Sequence, residues 1–237
     1  LVSPGWLRRI FPSHADGDGD DPVVAEILPC NFFKIHYRDL ATIAKLAKGP
    51  VALVGASMGG VTALVACTHG LNADALVLVD IVPKLSIAGA DKVRGFMGAS
   101  PDGFASLEEA ADAISAYYPD RPRPKDLSGL NKNLRLGEDG RYRWHWDPRM
   151  LQDMGGDPRH LLTIMDAADW TDRIPTLLVR GMKSDIVTED GVEDLKRRIP
   201  ALEIADIRGA GHMVAGDKND EFNAAVIDFL TRVMPVK

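Results

Sequence analysis

Val51-Ala52-Leu53-Val54-Gly55-Ala56-Ser57-Met58-Gly59-Gly60 is the stretch whose reading decides the fold. Residues 51–54 are apolar, two of them valine, and follow Pro50, so they read as a short buried strand that begins after the proline. Gly55 to Gly59 then carry the spacing G-x-S-x-G. Residues 61–69 are apolar enough for a buried helix, and Gly70 stands where a left-handed C-terminal cap belongs. Strand, tight turn and helix together are the setting of a nucleophile elbow. Such a turn strains the backbone at Ser57, and Gly55 and Gly59, having no side chains, are expected to let strand and helix pass closely. Five residues alone would favour a Gly/Ser turn without chemistry; the flanking strand and helix tip the reading to the elbow.

Working outward, residues 75–82 are an apolar strand with Asp80 near its end. Strand, helix and strand within this short span make a βαβ unit, hence a parallel sheet covered on both faces. Upstream, residues 39–48 have helical spacing, with Leu40, Ile43, Ala44 and Ala47 on one face, and Gly49-Pro50 ends them. Residues 23–25 read as a short strand. Asp16, Asp18 and Asp20 alternate as in a calcium loop, but Asp21 holds the position that needs Gly and Ile27 the one that needs Glu, so residues 16–21 are read as a solvated turn.

Downstream the alternation breaks. Residues 92–97 suit a short helix, Ser106-x-x-Glu109 is a capping box opening a helix to residue 117, residues 140–147 alternate as an extended segment, and residues 157–168 suit another helix. Alternation resumes with a strand at 176–180, a helix at 189–198 capped by Thr188, a strand at 202–207 and a final helix at 221–233. The expected fold class is therefore α/β. It has a mostly parallel sheet with helices on both faces, a core of residues 1–83 and 173–237, and a mainly helical cap inserted at 84–172. All tryptophans other than Trp6 fall at 144, 146 and 170, inside or at the edge of that insertion. An aromatic insertion between strands reads as a lid over an apolar site, although many of its residues must pack its own small core. Phe96, Met97, Trp144, Trp146 and Met213 are the candidate pocket residues.

Serine attacks only when a base takes its proton and an acid orients that base. In an open parallel sheet, such groups gather at the carboxyl ends of the strands. The polar residues expected there are Ser57, Asp80, Asp185 and His212. Asp185 also suits a helix cap, and Asp80 is the alternative acid. His212 follows Gly209 and Gly211 directly after a strand.

Gly55 to Gly60, Arg180-Gly181-x-x-Ser184-Asp185 and Gly209-Ala210-Gly211-His212-Met213, in this order and each after a strand, resemble the α/β-hydrolase fold family over residues 35–235. The resemblance implies a serine nucleophile at Ser57, an orienting acid at Asp185, a base at His212 and an oxyanion donor at the Met58 N–H. It also implies hydrolysis of a carboxylic ester or related acyl compound through an acyl-enzyme, without cofactor or metal. The same residues serve carbon–carbon hydrolysis and perhydrolysis, and a non-catalytic ligand-binding relative is the alternative of another class. The family's His-Gly loop, source of a second oxyanion donor, has no match here; Ser3 to Trp6 is the nearest substitute.

With 46% hydrophobic and 26% charged residues, the composition is that of a globular protein. A net charge of −6 gives no basic footprint for nucleic acid or an anionic membrane. No apolar run approaches a membrane span, and the N-terminus lacks the apolar core of a signal peptide. Two cysteines, Cys30 and Cys67, cannot make a disulfide framework, and a reduced cytoplasmic setting is expected. The chain starts at Leu1, as a fragment or processed product would. The expected partner is a small apolar ester or acyl compound; oligomeric state is not specified by these features.

Overall fold

The computed structural model describes residues 31–235 apart from 120, 149 and 152–158. The strand expected at 23–25, the acidic turn at 16–21, Cys30, Ser3 to Trp6 and the start of the helix expected at 157 lie outside the described residues.

The chain runs through α1 (Asn31–Ala44), β1 (Ala52–Ala56), α2 (Met58–Thr68) and β2 (Ala75–Val79). Next come α3 (Ile87–Gly98), α4 (Leu107–Tyr117), a 3-10 turn (Ser128–Lys132), β3 (Leu134–Leu136), β4 (Tyr142–Trp144) and α5 (Arg159–Asp166). It closes with β5 (Thr176–Gly181), α6 (Glu189–Arg198), β6 (Glu203–Ile207), α7 (Val214–Asp217) and α8 (Asn219–Val233). Among the described residues the main sheet has the order β1-β2-β5-β6, with every pairing parallel. β3 and β4 form a separate antiparallel hairpin.

The two central strands are buried throughout. Their side chains alternate between two apolar clusters, as strand periodicity requires. Leu76, Leu78 and Leu178 join residues of α2, α5 and α6 on one face. Ala75, Val77, Val79, Leu177 and Val179 meet Val214 and the α8 residue Phe229 on the other. The expected α/β architecture with helices on both faces is thus the one observed. Between β2 and β5, Phe104, Ala110 and Leu134 gather a small cluster of their own, joined by Tyr142 and Trp144.

Helix boundaries follow local chemistry. Ser86, Ser106 and Thr188 cap α3, α4 and α6, each side-chain oxygen accepting an N–H three residues on. The cap at Ser86 starts α3 five residues before the expected 92. α1 spans 31–44 where periodicity suggests 39–48. Its buried contact is Tyr37, stacked on His69 of the α2 cap, while Ile43 stays exposed.

Candidate active site

The Ser57 elbow is built by close packing. A Cβ on Gly55 would sit 2.5 Å from the Gly59 carbonyl carbon, and one on Gly60 would lie 2.9 Å from the Gly55 oxygen and clash with Ile81. Gly59 faces open space. The close pass of strand and helix therefore depends on Gly55 and Gly60, not on the expected pair Gly55 and Gly59. Ser57 itself has φ 49°, a left-handed backbone unusual for a residue with a side chain. Its N–H is held by the Val79 carbonyl, and its own carbonyl accepts from the Gly60 and Val61 N–H groups. The Met58 N–H lies one residue past Ser57 at the start of α2, in the first helical turn, whose N–H groups have no acceptors within the helix.

Asp80 follows β2 as Ser57 follows β1, and the strands are adjacent with Ala56 opposite Val79. It also has a positive φ, 50°, and is fully buried. A buried carboxylate is tolerated only when its oxygens are filled by donors. Gly181 N donates to Oδ1 at 2.9 Å, the Ser184 hydroxyl donates to Oδ2, and His212 Nδ1 lies 2.8 Å from Oδ2. An ionised carboxylate only accepts, so the His212 proton sits on Nδ1. That leaves Nε2 free to accept from Ser57 Oγ, 3.1 Å away. The result is a continuous hydrogen-bonded chain from a buried carboxylate through an imidazole to a serine on a strained turn.

From residue order and family resemblance, the acid's place beside His212 is expected to fall to Asp185, with Asp80 as the alternative. The structure corrects this: the carboxylate on His212 is that of Asp80. Asp185 is four residues beyond the end of β5, and the loop turns it outward to an ion pair with Lys92 at 2.6 Å. That pair raises the Lys92 ammonium above its ordinary range, chiefly through the hydrogen bond itself. Asp80 is inward because the positive φ at the tip of β2 aims its side chain under the His212 loop. This loop crosses β5 closely: a Cβ on Gly181 would lie 2.8 Å from the Ala210 oxygen, and Lys183 N donates to that same oxygen. Asp217 holds the Gly211 N–H next to His212.

A cleft of about 500 Å³ opens beside His212. Tyr117, Tyr118, Pro119 and Pro122 bring apolar surface to it, while Lys92, Arg121, Lys183, Asp185 and Asp217 bring charge. It is more polar than the expected apolar pocket. Burial pushes the Tyr117 and Tyr118 hydroxyls above their usual range, so both remain neutral donors. None of Phe96, Met97, Trp144, Trp146 and Met213 is among its lining residues. Phe96 instead stacks behind Tyr117 at 4.3 Å and meets Trp144 edge-on, Trp144 stacks on Trp146, and Met213 is half exposed. These aromatics back the cleft wall rather than face the cleft. Tyr118, Arg121 and Lys92 line the cleft without any mark in the sequence, because aromatic composition does not distinguish a wall from its backing. Among the described residues no group of three or more His, Cys, Asp or Glu could hold a metal ion, and no helix is long and apolar enough to cross a membrane.

Fold and site together define a hydrolase, and the chain belongs to the alpha/beta hydrolase family, whose profile matches residues 11–225. It is 27% identical over 236 residues to the sn-1-specific diacylglycerol lipase ABHD11 of Mus musculus, a match covering 94% of this chain and 72% of the mouse protein. It is 30% identical over 195 residues to the esterase Rv0045c of Mycobacterium tuberculosis, covering 78% of this chain and 62% of that one. A solved structure of the mycobacterial esterase superposes with a TM-score of 0.62 at 26% identity, over 86% of this chain and 69% of the other.

Proposed function

We propose that this protein is a serine hydrolase of carboxylic esters that works through an acyl-enzyme on Ser57. The observation that carries the reading is the hydrogen-bonded chain Asp80–His212–Ser57, with Ser57 half-buried at the tip of a strained turn. The esterase and lipase names of its relatives support an ester as the substrate. In this reading His212 Nε2 takes the Ser57 proton as Oγ attacks the carbonyl carbon. Asp80 keeps the imidazole oriented and stabilises the imidazolium that forms. The Met58 N–H, at the positive end of α2, donates to the oxyanion. His212 then gives its proton to the leaving alcohol, and water, activated by the same imidazole, releases the acid.

The segment between β2 and β5 acts as the cap. Lys92 and Arg121, which it contributes, reach the core at Asp185, Gly216 and Asp217, so the cleft lies between cap and core. The ester's leaving group or acyl chain lies against Tyr117, Tyr118 and Pro119.

A fluorophosphonate probe tests the reading directly. The wild-type protein is expected to be labelled and to hydrolyse a short-chain nitrophenyl ester, and Ser57→Ala to lose both. A folded wild-type protein that takes no label would overturn it.

A further inference from the structure

We propose that Ser184 is a positioning residue of the active site, acting through Asp80; the inference deepens the reading of Asp80 and His212 given above and rests on it. A serine hydroxyl has one proton and two lone pairs. At Ser184 the N–H groups of Ile186 and Val187 point at the oxygen, at 3.1 and 3.4 Å. With its lone pairs occupied, the hydroxyl has one direction left for its proton, and Asp80 Oδ2 lies there. That is the same carboxylate oxygen that meets His212 Nδ1. Two donors thus share one oxygen, while the other oxygen is fixed by the Gly181 N–H.

The loop that carries Ser184 is itself held on two sides. Ser184 N donates to the Gly181 carbonyl, and the Ile186 carbonyl accepts from Ser86 N, just before α3. Gly89 in the first turn of α3 packs so closely on the Asp185 carbonyl that a Cβ would overlap it. The hydroxyl is therefore a fixed donor with no freedom to rotate. It sets the in-plane orientation of the Asp80 carboxylate and takes up part of the oxygen's hydrogen-bonding capacity. The neighbouring side chain, Asp185, points away and does neither.

Removing the hydroxyl leaves Oδ2 to His212 alone and orphans two backbone N–H groups. The carboxylate then rotates more freely and binds the imidazole proton more strongly when it is aligned. In Ser184→Ala, kcat on a nitrophenyl ester is expected to fall about ten- to a hundredfold, the range of a lost hydrogen bond to a charged group, with KM little changed. The acidic limb of the kcat/KM profile moves to higher pH. The low-field proton resonance of His212 Nδ1–H, identified by its loss in Asp80→Asn, shifts. Ser184→Thr, which keeps the hydroxyl, restores all three. A purely structural serine would lower thermal stability without moving the resonance or the pH limb. An unmoved resonance and limb in Ser184→Ala would overturn the proposal; should that variant not fold, Ser184→Cys, with its weaker S–H donor, makes the same comparison. The resonance needs no turnover, so failure of the esterase reading shows separately, as an unlabelled Ser57 with the Ser184 effect on His212 intact.

Discussion

Two aspartates compete for one task, and their surroundings separate them. Asp80 is fully buried and surrounded by donors, whereas the Asp185 side chain is 42% exposed and paired with a lysine at the cleft rim. Asp80→Asn keeps the shape of the site but presents an amide to Nδ1, favouring the wrong imidazole tautomer. Loss of kcat of about 10⁴-fold is expected, as for the equivalent change in serine proteases. Asp185→Asn removes only an exposed ion pair, worth at most about 1 kcal/mol, so its kcat changes no more than about fivefold. Steady-state kinetics on the two variants decides between them; the reverse ranking would restore Asp185. Both carboxylates follow strands, which is all that sequence order shows. Choosing between them depends on the φ of 50° at Asp80, a backbone fact that residue type does not announce. Ser57 and His212, whose side chains the structure brings to 3.1 Å, stand out in the sequence because Gly55 and Gly59 flank the one and Gly209 and Gly211 precede the other, each after a strand.

The strand–turn–helix element was legible for a different reason. Apolar runs of fixed length bounded by Gly and Pro leave few alternatives: β1, β5 and α6 fall within two residues of their expected limits, while α2 starts three residues early, at Met58, directly after the elbow serine. What patterning missed is which glycine matters. Gly55 faces backbone that cannot yield, so Gly55→Ala should destabilise the fold by about 1–3 kcal/mol, the cost of overpacking. Gly59→Ala should be near neutral in stability, since its position is open. Urea midpoints of the two variants test this, and equal midpoints would refute the packing account. Between β2 and β5 the Ser106 capping box announces α4, yet the hairpin of β3 and β4 emerges from the alternation of residues 140–147 only in part. Its three-residue strands, Leu134–Leu136 and Tyr142–Trp144, are too short to show periodicity.

At the scale of the whole molecule, one buried titratable group bears on stability. Cys67 lies in α2 against the sheet, 1% exposed, and burial pushes its thiol from 9.0 up to about 12. Below pH 9 the thiol is neutral folded and unfolded alike. Above it the unfolded chain loses a proton that the folded one keeps, so stability falls as pH rises from 9 towards 12. Cys67→Ala should flatten the alkaline fall in the urea midpoint between these limits; an unchanged slope would show that other groups govern it. In a Cys30→Ser background, Cys67 should also resist Ellman's reagent until denaturant is added.

The placement of Asp80 has a consequence for how such a molecule varies. Ser57 and Asp80 belong to one βαβ unit, at the tips of neighbouring strands whose backbones bond directly, Ser57 N to the Val79 carbonyl. The long segment before β5 begins after both. In the proposed reaction, nucleophile and orienting carboxylate are therefore joined by a single short module, and lengthening, shortening or exchanging residues 84–172 leaves their mutual distance untouched. Only the imidazole must be brought back across it, by β5 and β6. On the proposed reading, substrate preference can drift with the segment between β2 and β5 while the proton-transfer geometry is inherited whole.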